Sequence, residues 1–174
     1  LMIGIVSRLT DQKGFDLIAC VMDELCQDAI QIVALGTGEE QYENMFRHYA
    51  WKYPDKVSAN IYYSNAMSHK IYAACDAYLM PSLFEGLPVV GIEAQASGLP
   101  CVFSDTITDE IILSDRAVRL SLEQSDEVWA KELIRLGTAD RDRAEGRSVV
   151  RSAGYDIVEE TKRLQEIYVS LIEK

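Results

Sequence analysis

Two carboxylates draw attention because of the kind of segment that carries them. Pro81-Ser82-Leu83-Phe84-Glu85-Gly86-Leu87-Pro88-Val89-Val90-Gly91-Ile92-Glu93 leaves an apolar run, passes a glycine turn and enters a helical pattern. The first N–H groups of a helix have no partner inside it, and together they make a site for an anion. Pro88 has no N–H to offer, so the donors here are Gly86, Leu87, Val89 and Val90. Glu85 lies on the turn and Glu93 in the helix, with seven residues between them. Both can therefore look toward one cleft. Glu93 stands among Val89, Val90, Ile92 and Ala94. A carboxylate in such apolar company either reaches hydroxyl groups of a ligand or serves a structural network.

Two cations sit on another loop. Ser7-Arg8-Leu9-Thr10-Asp11-Gln12-Lys13-Gly14 follows the first apolar run. Arg8 could grip a diphosphate as a planar fork and Lys13 as a point charge. A solvated loop with two surface cations is the other account. Gly36-Thr37-Gly38 follows the second apolar run. Its glycines permit a tight turn and close backbone approach, and an ordinary strand-to-helix turn would use them in the same way.

These loops need elements to position them. Met2–Val6, Gln31–Leu35, Val57–Tyr62, Ala77–Met80 and Cys101–Phe103 read as strands, with Ala117–Leu120 a sixth. Gly14–Cys26, Glu39–Tyr53, Ser68–Cys75 and Pro88–Ser97 read as helices between them. The first sets Phe15, Ile18, Val21, Met22 and Leu25 on one face. The second stops at Pro54, and the last has proline at its start and Gly98 just past its end. This alternation predicts an α/β fold, a Rossmann-like three-layer sandwich with a parallel sheet of about six strands and right-handed crossovers. Ligands of such sheets bind at the carboxyl ends of the strands, near the point where strand order reverses. Beyond Ser121 only helical patterns remain, at Glu127–Leu136, Asp140–Ser152 and Tyr155–Glu173. With no repeat or linker, residues 1–174 read as a single domain with a helical C-terminal tail.

The 174 residues suffice for a real core. A chain 48% hydrophobic and 26% charged has the composition of a soluble globular protein. The net charge of -11 argues against bulk nucleic-acid binding, which draws its affinity from basic residues. Two or three local cations still suffice for a small phosphorylated ligand. No stretch approaches the roughly 20 apolar residues of a membrane span, so no transmembrane segment is expected. No signal peptide is recognisable before Leu1, and a cytoplasmic location is expected. The abrupt opening on a strand suggests a piece of a longer protein. Cys20, Cys26, Cys75 and Cys101 form no C-x-x-C pair, and His48 and His69 show no metal spacing. No metal site is expected, and the cysteines read as buried free thiols in a reducing compartment.

Taken jointly, Arg8 with Lys13-Gly14, Gly36-x-Gly38, Pro81-Ser82-x-x-Glu85-Gly86 and Glu93 resemble the C-terminal donor domain of GT-B glycosyltransferases. The E-x7-E pair is the sign of the retaining members. The resemblance implies a domain that binds a nucleotide sugar, expected to be a UDP- or ADP-sugar, with no further cofactor. By position it implies that Arg8 and Lys13 hold the diphosphate and stabilise it as a leaving group. Glu93 would accept hydrogen bonds from the ribose, and Glu85 would stand beside the donor sugar as the residue nearest the chemistry. The amides of Gly86, Leu87, Val89 and Val90 would meet sugar hydroxyls and phosphate. The family's acceptor site and a catalytic histidine belong to an N-terminal GT-B domain. The resemblance therefore implies that this partner half is missing and that the chain alone is inactive.

The resemblance divides near residues 81–83. Residues 1–82, with Ser7 to Gly14 and Lys70 to Ser82, look like bacterial glycogen and starch synthases, which usually continue as Phe-Glu-Pro-Cys-Gly-Leu. This chain has Phe84-Glu85-Gly86-Leu87-Pro88 instead. Residues 83–174, with Val89 to Pro100, Val128-Trp129-Ala130 and Gly154-Tyr155-Asp156, look like capsule and exopolysaccharide glycosyltransferases. A second account is then an engineered chimeric scaffold of two glycosyltransferase domains, with weak ligand binding or none. Elsewhere, Arg143, Arg147 and Arg151 read as a solvated stripe with Asp140, Asp142 and Glu145. Tyr62, Tyr63 and Tyr72 read as core and strand-end packing, with the loop after Tyr63 near the base. In the family the last helix crosses toward the other half, so apolar residues on it are expected to lack cover.

Overall fold

The computed structural model describes residues 1–139 and 143–172. Six strands form one sheet: β1 (Met2–Val6), β2 (Gln31–Leu35), β3 (Val57–Asn60), β4 (Ala77–Met80), β5 (Cys101–Ser104) and β6 (Ala117–Leu120). All pairings are parallel, in the order β3-β2-β1-β4-β5-β6. Strand order reverses between β1 and β4, where Ile3 faces Ala77 and Gly4 faces Tyr78. The helices are α1 (Phe15–Leu25), α2 (Glu40–Lys52), α3 (Asn65–Ala74), α4 (Val89–Ala96), α5 (Asp126–Thr138), α6 (Glu145–Ser152) and α7 (Ile157–Ile172). The expected Rossmann-like sandwich with a helical tail is the observed architecture.

Apolar residues pack on both faces of the sheet. On one, Ile3, Ile5 and Val102 meet Phe15, Ile18 and Met22 of α1, Phe46 of α2 and Leu133 of α5. On the other, Tyr78, Met80 and Phe103 meet Ile71 and Tyr72 of α3, Ile92 of α4 and Val150 of α6. Every residue of β4 and β5 is buried, which is why these strands read as unbroken apolar runs rather than alternating ones.

Several boundaries differ from the sequence reading. The third strand ends at Asn60 rather than Tyr62. Helix α3 begins at Asn65, ahead of the expected Ser68, because Ser64 caps it by accepting from the Met67 N–H at 3.2 Å. The helix expected over Asp140–Ser152 is α6, beginning at Glu145; residues 140–142 lie outside the described residues, as does Glu173. Arg143 does not belong to a solvated stripe. Its guanidinium donates to the carbonyls of Tyr72 at 2.9 Å, Ala73, and Cys75 at 2.6 Å, and so closes the C-terminal end of α3. Arg147 is exposed, and Arg151 pairs with Glu159 at 2.9 Å. Three cysteines are buried as expected, whereas Cys20 is exposed.

Helix α7 has no buried residue. Ile157, Leu164, Tyr168 and Leu171 are all exposed at helical spacing, so its apolar side is uncovered, as the sequence led one to expect.

Candidate functional site

A cleft of about 230 Å³ opens at the carboxyl ends of β1 and β2, beside the switch point. Ser7 and Arg8 form one side, and Gly36 and Thr37 a second. Val90 and Glu93 of α4 face them, and Ser64, Asn65 and Ser68 of α3 close the floor.

The loops after β1 and β2 run together because glycine permits it. A Cβ on Gly36 would stand 1.8 Å from the Ser7 carbonyl oxygen, and one on Gly38 would stand 2.1 Å from that of Leu9. The Leu9 N–H donates to Thr37 O at 3.0 Å, and the Glu39 N–H to Leu9 O at 2.7 Å. Gly36-Thr37-Gly38 thus zips the two loops beyond the ends of their strands. That zip holds Arg8 at the cleft wall. Arg8 is exposed, and its guanidinium has no protein partner among the described residues.

Farther along the same loop, a short 3-10 turn at Asp11–Lys13 leads to Gly14. Gly14 has φ 71° and lies so close to β4 that a Cβ would stand 2.0 Å from Pro81 O. This approach stitches the loop to the segment after β4. The Leu83 N–H donates to Gln12 O at 2.7 Å, and Gln12 Nε2 to Phe84 O at 3.0 Å. Lys13 Nζ then forms an ion pair with Glu85 Oε1, each side chain only 12% exposed. Ser82 Oγ donates to the same carboxylate oxygen at 3.3 Å. The carbonyl of Ser82 is itself held by the hydroxyls of Ser104 at 2.5 Å and Thr106 at 2.6 Å.

Glu93 is half-buried on α4, and its Oε2 accepts from the Tyr72 hydroxyl at 3.3 Å. Tyr72 is fully buried. Burial first, and then the charge of Glu93, push its phenol far above the ordinary range, so it stays a donor. The bond fixes one oxygen of Glu93 and leaves the other without a protein donor among the described residues. Pro88 is the N-cap of α4, which leaves the N–H groups of Val89 and Val90 at the helix start. Val89 is exposed, Val90 lines the cleft and Leu87 packs on the core. Gly86 is exposed, with nothing within 4 Å of where a Cβ would stand.

The structure therefore brings Arg8, Val90 and Glu93 to one cleft. Lys13 and Glu85 do not line it; they pair with each other on the adjoining loops. Gly86, Leu87 and Val89 connect the two places. Two tyrosines correct the sequence reading. Tyr62 and Tyr63 are 42% and 89% exposed and border the cleft instead of packing in the core, because β3 stops before them. Tyr72 is core, as expected. The capping Ser64 was detectable in sequence as a serine ahead of an apolar helical pattern. The hydroxyls of Ser104 and Thr106 carry no such signal.

A family model described as glycosyl transferases group 1 matches residues 1–138. The chain belongs to the group 1 glycosyl transferases. Over 84 residues this glycosyl transferase chain is 79% identical to the glycogen synthase of Lachnospira eligens, a match covering 48% of the chain and 18% of that protein. The glycogen synthase of Clostridioides difficile is 50% identical over 113 residues, covering 62% and 24%. The chain spans about a fifth of the length of the curated relatives it matches. Among solved structures, sucrose-phosphate synthase from Thermosynechococcus elongatus superposes with a TM-score of 0.75 at 19% identity, covering 99% of this chain and 45% of that one. The catalytic domain of starch synthase IV from Arabidopsis thaliana, bound to ADP and acarbose, gives 0.68 at 20%, covering 99% and 38%. These two likenesses show the fold.

Proposed function

We propose that this chain is the donor-binding part of a retaining glycosyltransferase of glycogen- or starch-synthase type, and that its cleft takes the nucleoside diphosphate of a UDP- or ADP-sugar. One observation carries the reading. Arg8, a cation with no protein partner among the described residues, and Glu93, a carboxylate preset by Tyr72, face the same cleft at the switch point of the sheet. A guanidinium fork suits phosphate oxygens, and the open oxygen of Glu93 suits ribose hydroxyls. The exposed rings of Tyr62 and Tyr63 border the place of the base. Lys13 and the N–H groups from Gly86 to Val90 lie toward the diphosphate and sugar, with Glu85 beside the sugar. The starch synthase neighbour was solved with ADP, and a pneumococcal O-GlcNAc transferase of 18% identity with UDP and GlcNAc. These names support the ligand class and assign no residue here.

The acceptor belongs to another half in this reading. Leu83, Phe84 and Val89 are exposed around the turn, and the apolar residues of α7 lack cover. An N-terminal acceptor-binding domain covers these surfaces. Transfer needs donor and acceptor held in contact, so this chain alone transfers no sugar at a useful rate. A reducing cytoplasm suits its free cysteines.

One observation favours a second reading, a chimera of two homologous donor domains. The 79% identity to a glycogen synthase covers 84 residues, whereas the family match runs to residue 138. A hybrid keeps a packed core more easily than a positioned pocket.

Calorimetric titration with UDP and ADP tests both readings. Arg8→Ala is the clean probe, since the Arg8 guanidinium has no hydrogen-bond or ion-pair partner among the described residues, whereas changing Lys13 would strand Glu85. Charge-assisted hydrogen bonds contribute roughly 1.5–3 kcal/mol. Arg8→Ala should weaken binding about ten- to hundredfold and leave the melting temperature unchanged. Unaltered affinity refutes the site. A folded chain that binds neither nucleotide favours the chimera.

A further inference from the structure

We propose that Glu85 lowers the site's hold on a free nucleoside diphosphate, and so sets its preference for the nucleotide sugar over the spent product. The proposal rests on the donor-site reading above and deepens it. Its basis is that Lys13, the second cation in that reading, is paired with a carboxylate on the loops adjoining the cleft. Lys13 and Glu85 form an ion pair with both side chains 12% exposed. Their loops are tied backbone to backbone through Gln12 and Leu83, and Ser82 donates to the paired oxygen. This is unlike a mobile surface pair, whose partners exchange freely with water. Separating two such shielded charges would leave each without compensation.

The consequence is an asymmetry between two ligands. Lysine has three donors; one is committed to Glu85, which leaves two for a phosphate. The terminal phosphate of a free diphosphate gains charge through an ionisation near pH 6, which esterification by a sugar removes. That extra charge would approach Lys13 and meet the carboxylate of Glu85 beside it. In the nucleotide sugar the same place holds a glycosyl group, whose hydroxyls donate to the second oxygen of Glu85. Glu85 thus repels the product and accepts from the donor substrate. Arg8, which has no carboxylate partner among the described residues, grips both alike.

Glu85→Gln tests this, because glutamine keeps the shape and removes the charge. Wild type and variant are titrated with UDP, UDP-glucose and inorganic pyrophosphate, and with the adenosine pair, at low and high salt. UDP or ADP and pyrophosphate should bind the variant about tenfold tighter, equivalent to about 1.4 kcal/mol. The gain should shrink at high salt. The nucleotide sugar should not gain, so the ratio of the two dissociation constants moves about tenfold toward the product. An unchanged ratio, or equal tightening of both ligands, overturns the proposal while the donor site stands. Binding by the variant where wild type shows none supports it. No binding by either folded protein overturns both. Should Glu85→Gln fail to fold, the double variant Lys13→Met with Glu85→Gln removes both charges together. Its loss of UDP affinity should then be far smaller than that of Arg8→Ala. A loss as large shows that the charge of Lys13 was available to the ligand after all, and overturns the proposal.

Discussion

Two glycines beside the cleft should respond in opposite ways to the same added methyl. At Gly36 the new Cβ would stand 1.8 Å from the Ser7 carbonyl oxygen, against the 3.0 Å below which real Cβ atoms essentially never approach. The neighbour is backbone, so no side chain can swing aside, and the loops must part by more than an ångström. Three hydrogen bonds hold that seam: Ser7 N–H to Leu35 O at 3.1 Å, Leu9 N–H to Thr37 O at 3.0 Å and Glu39 N–H to Leu9 O at 2.7 Å. Losing two of them, at roughly 1 kcal/mol each plus the penalty for groups left unsatisfied, costs about 2–4 kcal/mol. In a domain of this size that lowers the melting temperature by about 5–15 °C. Gly86 has nothing within 4 Å, and its φ lies outside the left-handed region. Gly86→Ala should leave stability unchanged or raise it by about 0.5 kcal/mol, through a less flexible unfolded chain. The methyl nevertheless enters the space assigned to the donor sugar, and nucleotide-sugar affinity should fall about tenfold. Thermal melts by circular dichroism and calorimetric titration of both variants settle the matter. Wild-type melting of Gly36→Ala would refute the steric argument. Wild-type affinity of Gly86→Ala would show that the sugar does not pass over this turn.

Alkaline pH should unfold the domain through its buried tyrosines. The phenol of Tyr42 is pushed up to about 12 by burial and by its 3.0 Å hydrogen bond to the Asp16 carboxylate. Those of Tyr72 and Tyr78 are also raised, chiefly by burial. A raised folded value means that the contribution is whole below the unfolded value of about 10 and is lost as pH rises beyond it. Each tyrosine contributes a slope of about 1.4 kcal/mol per pH unit there. Melting temperatures measured from pH 9 to 11.5 should therefore fall steeply above pH 10, with a shallower slope in Tyr72→Phe; a flat profile would contradict the burial of these hydroxyls. Ser64→Ala removes the cap of α3 and should cost about 1 kcal/mol in urea denaturation.

The parts of this molecule that were legible in its sequence are those written in apolar periodicity. Strands β1, β2, β4 and β6 have the predicted limits because each is a short, mainly apolar run between turn residues, a pattern that burial requires most strictly of the central strands β1 and β4. Arg8 and Glu93 could be placed at one cleft because strand ends in a parallel sheet converge at the switch point. Where contacts decide the structure, the sequence is mute. Tyr62 and Tyr63 continue the apolar pattern of β3, yet the strand ends at Asn60, whose side chain turns back to Ala34 O at 3.2 Å and Ser58 Oγ at 3.1 Å. Arg143 looked like one member of a charged stripe until the C-terminal end of α3, distant in sequence, was seen to supply three carbonyls. The pairing of Lys13 with Glu85 depends on two loops stitched by backbone hydrogen bonds, which leave no trace in residue periodicity. The same division governs what experiments can decide. The core tolerates exchange of one apolar residue for another of like volume, whereas the site depends on single charges held by single loops. A well-folded variant is therefore no evidence that the site is intact, and it is the titrations of Arg8→Ala and Glu85→Gln, rather than any melting curve, that bear on function.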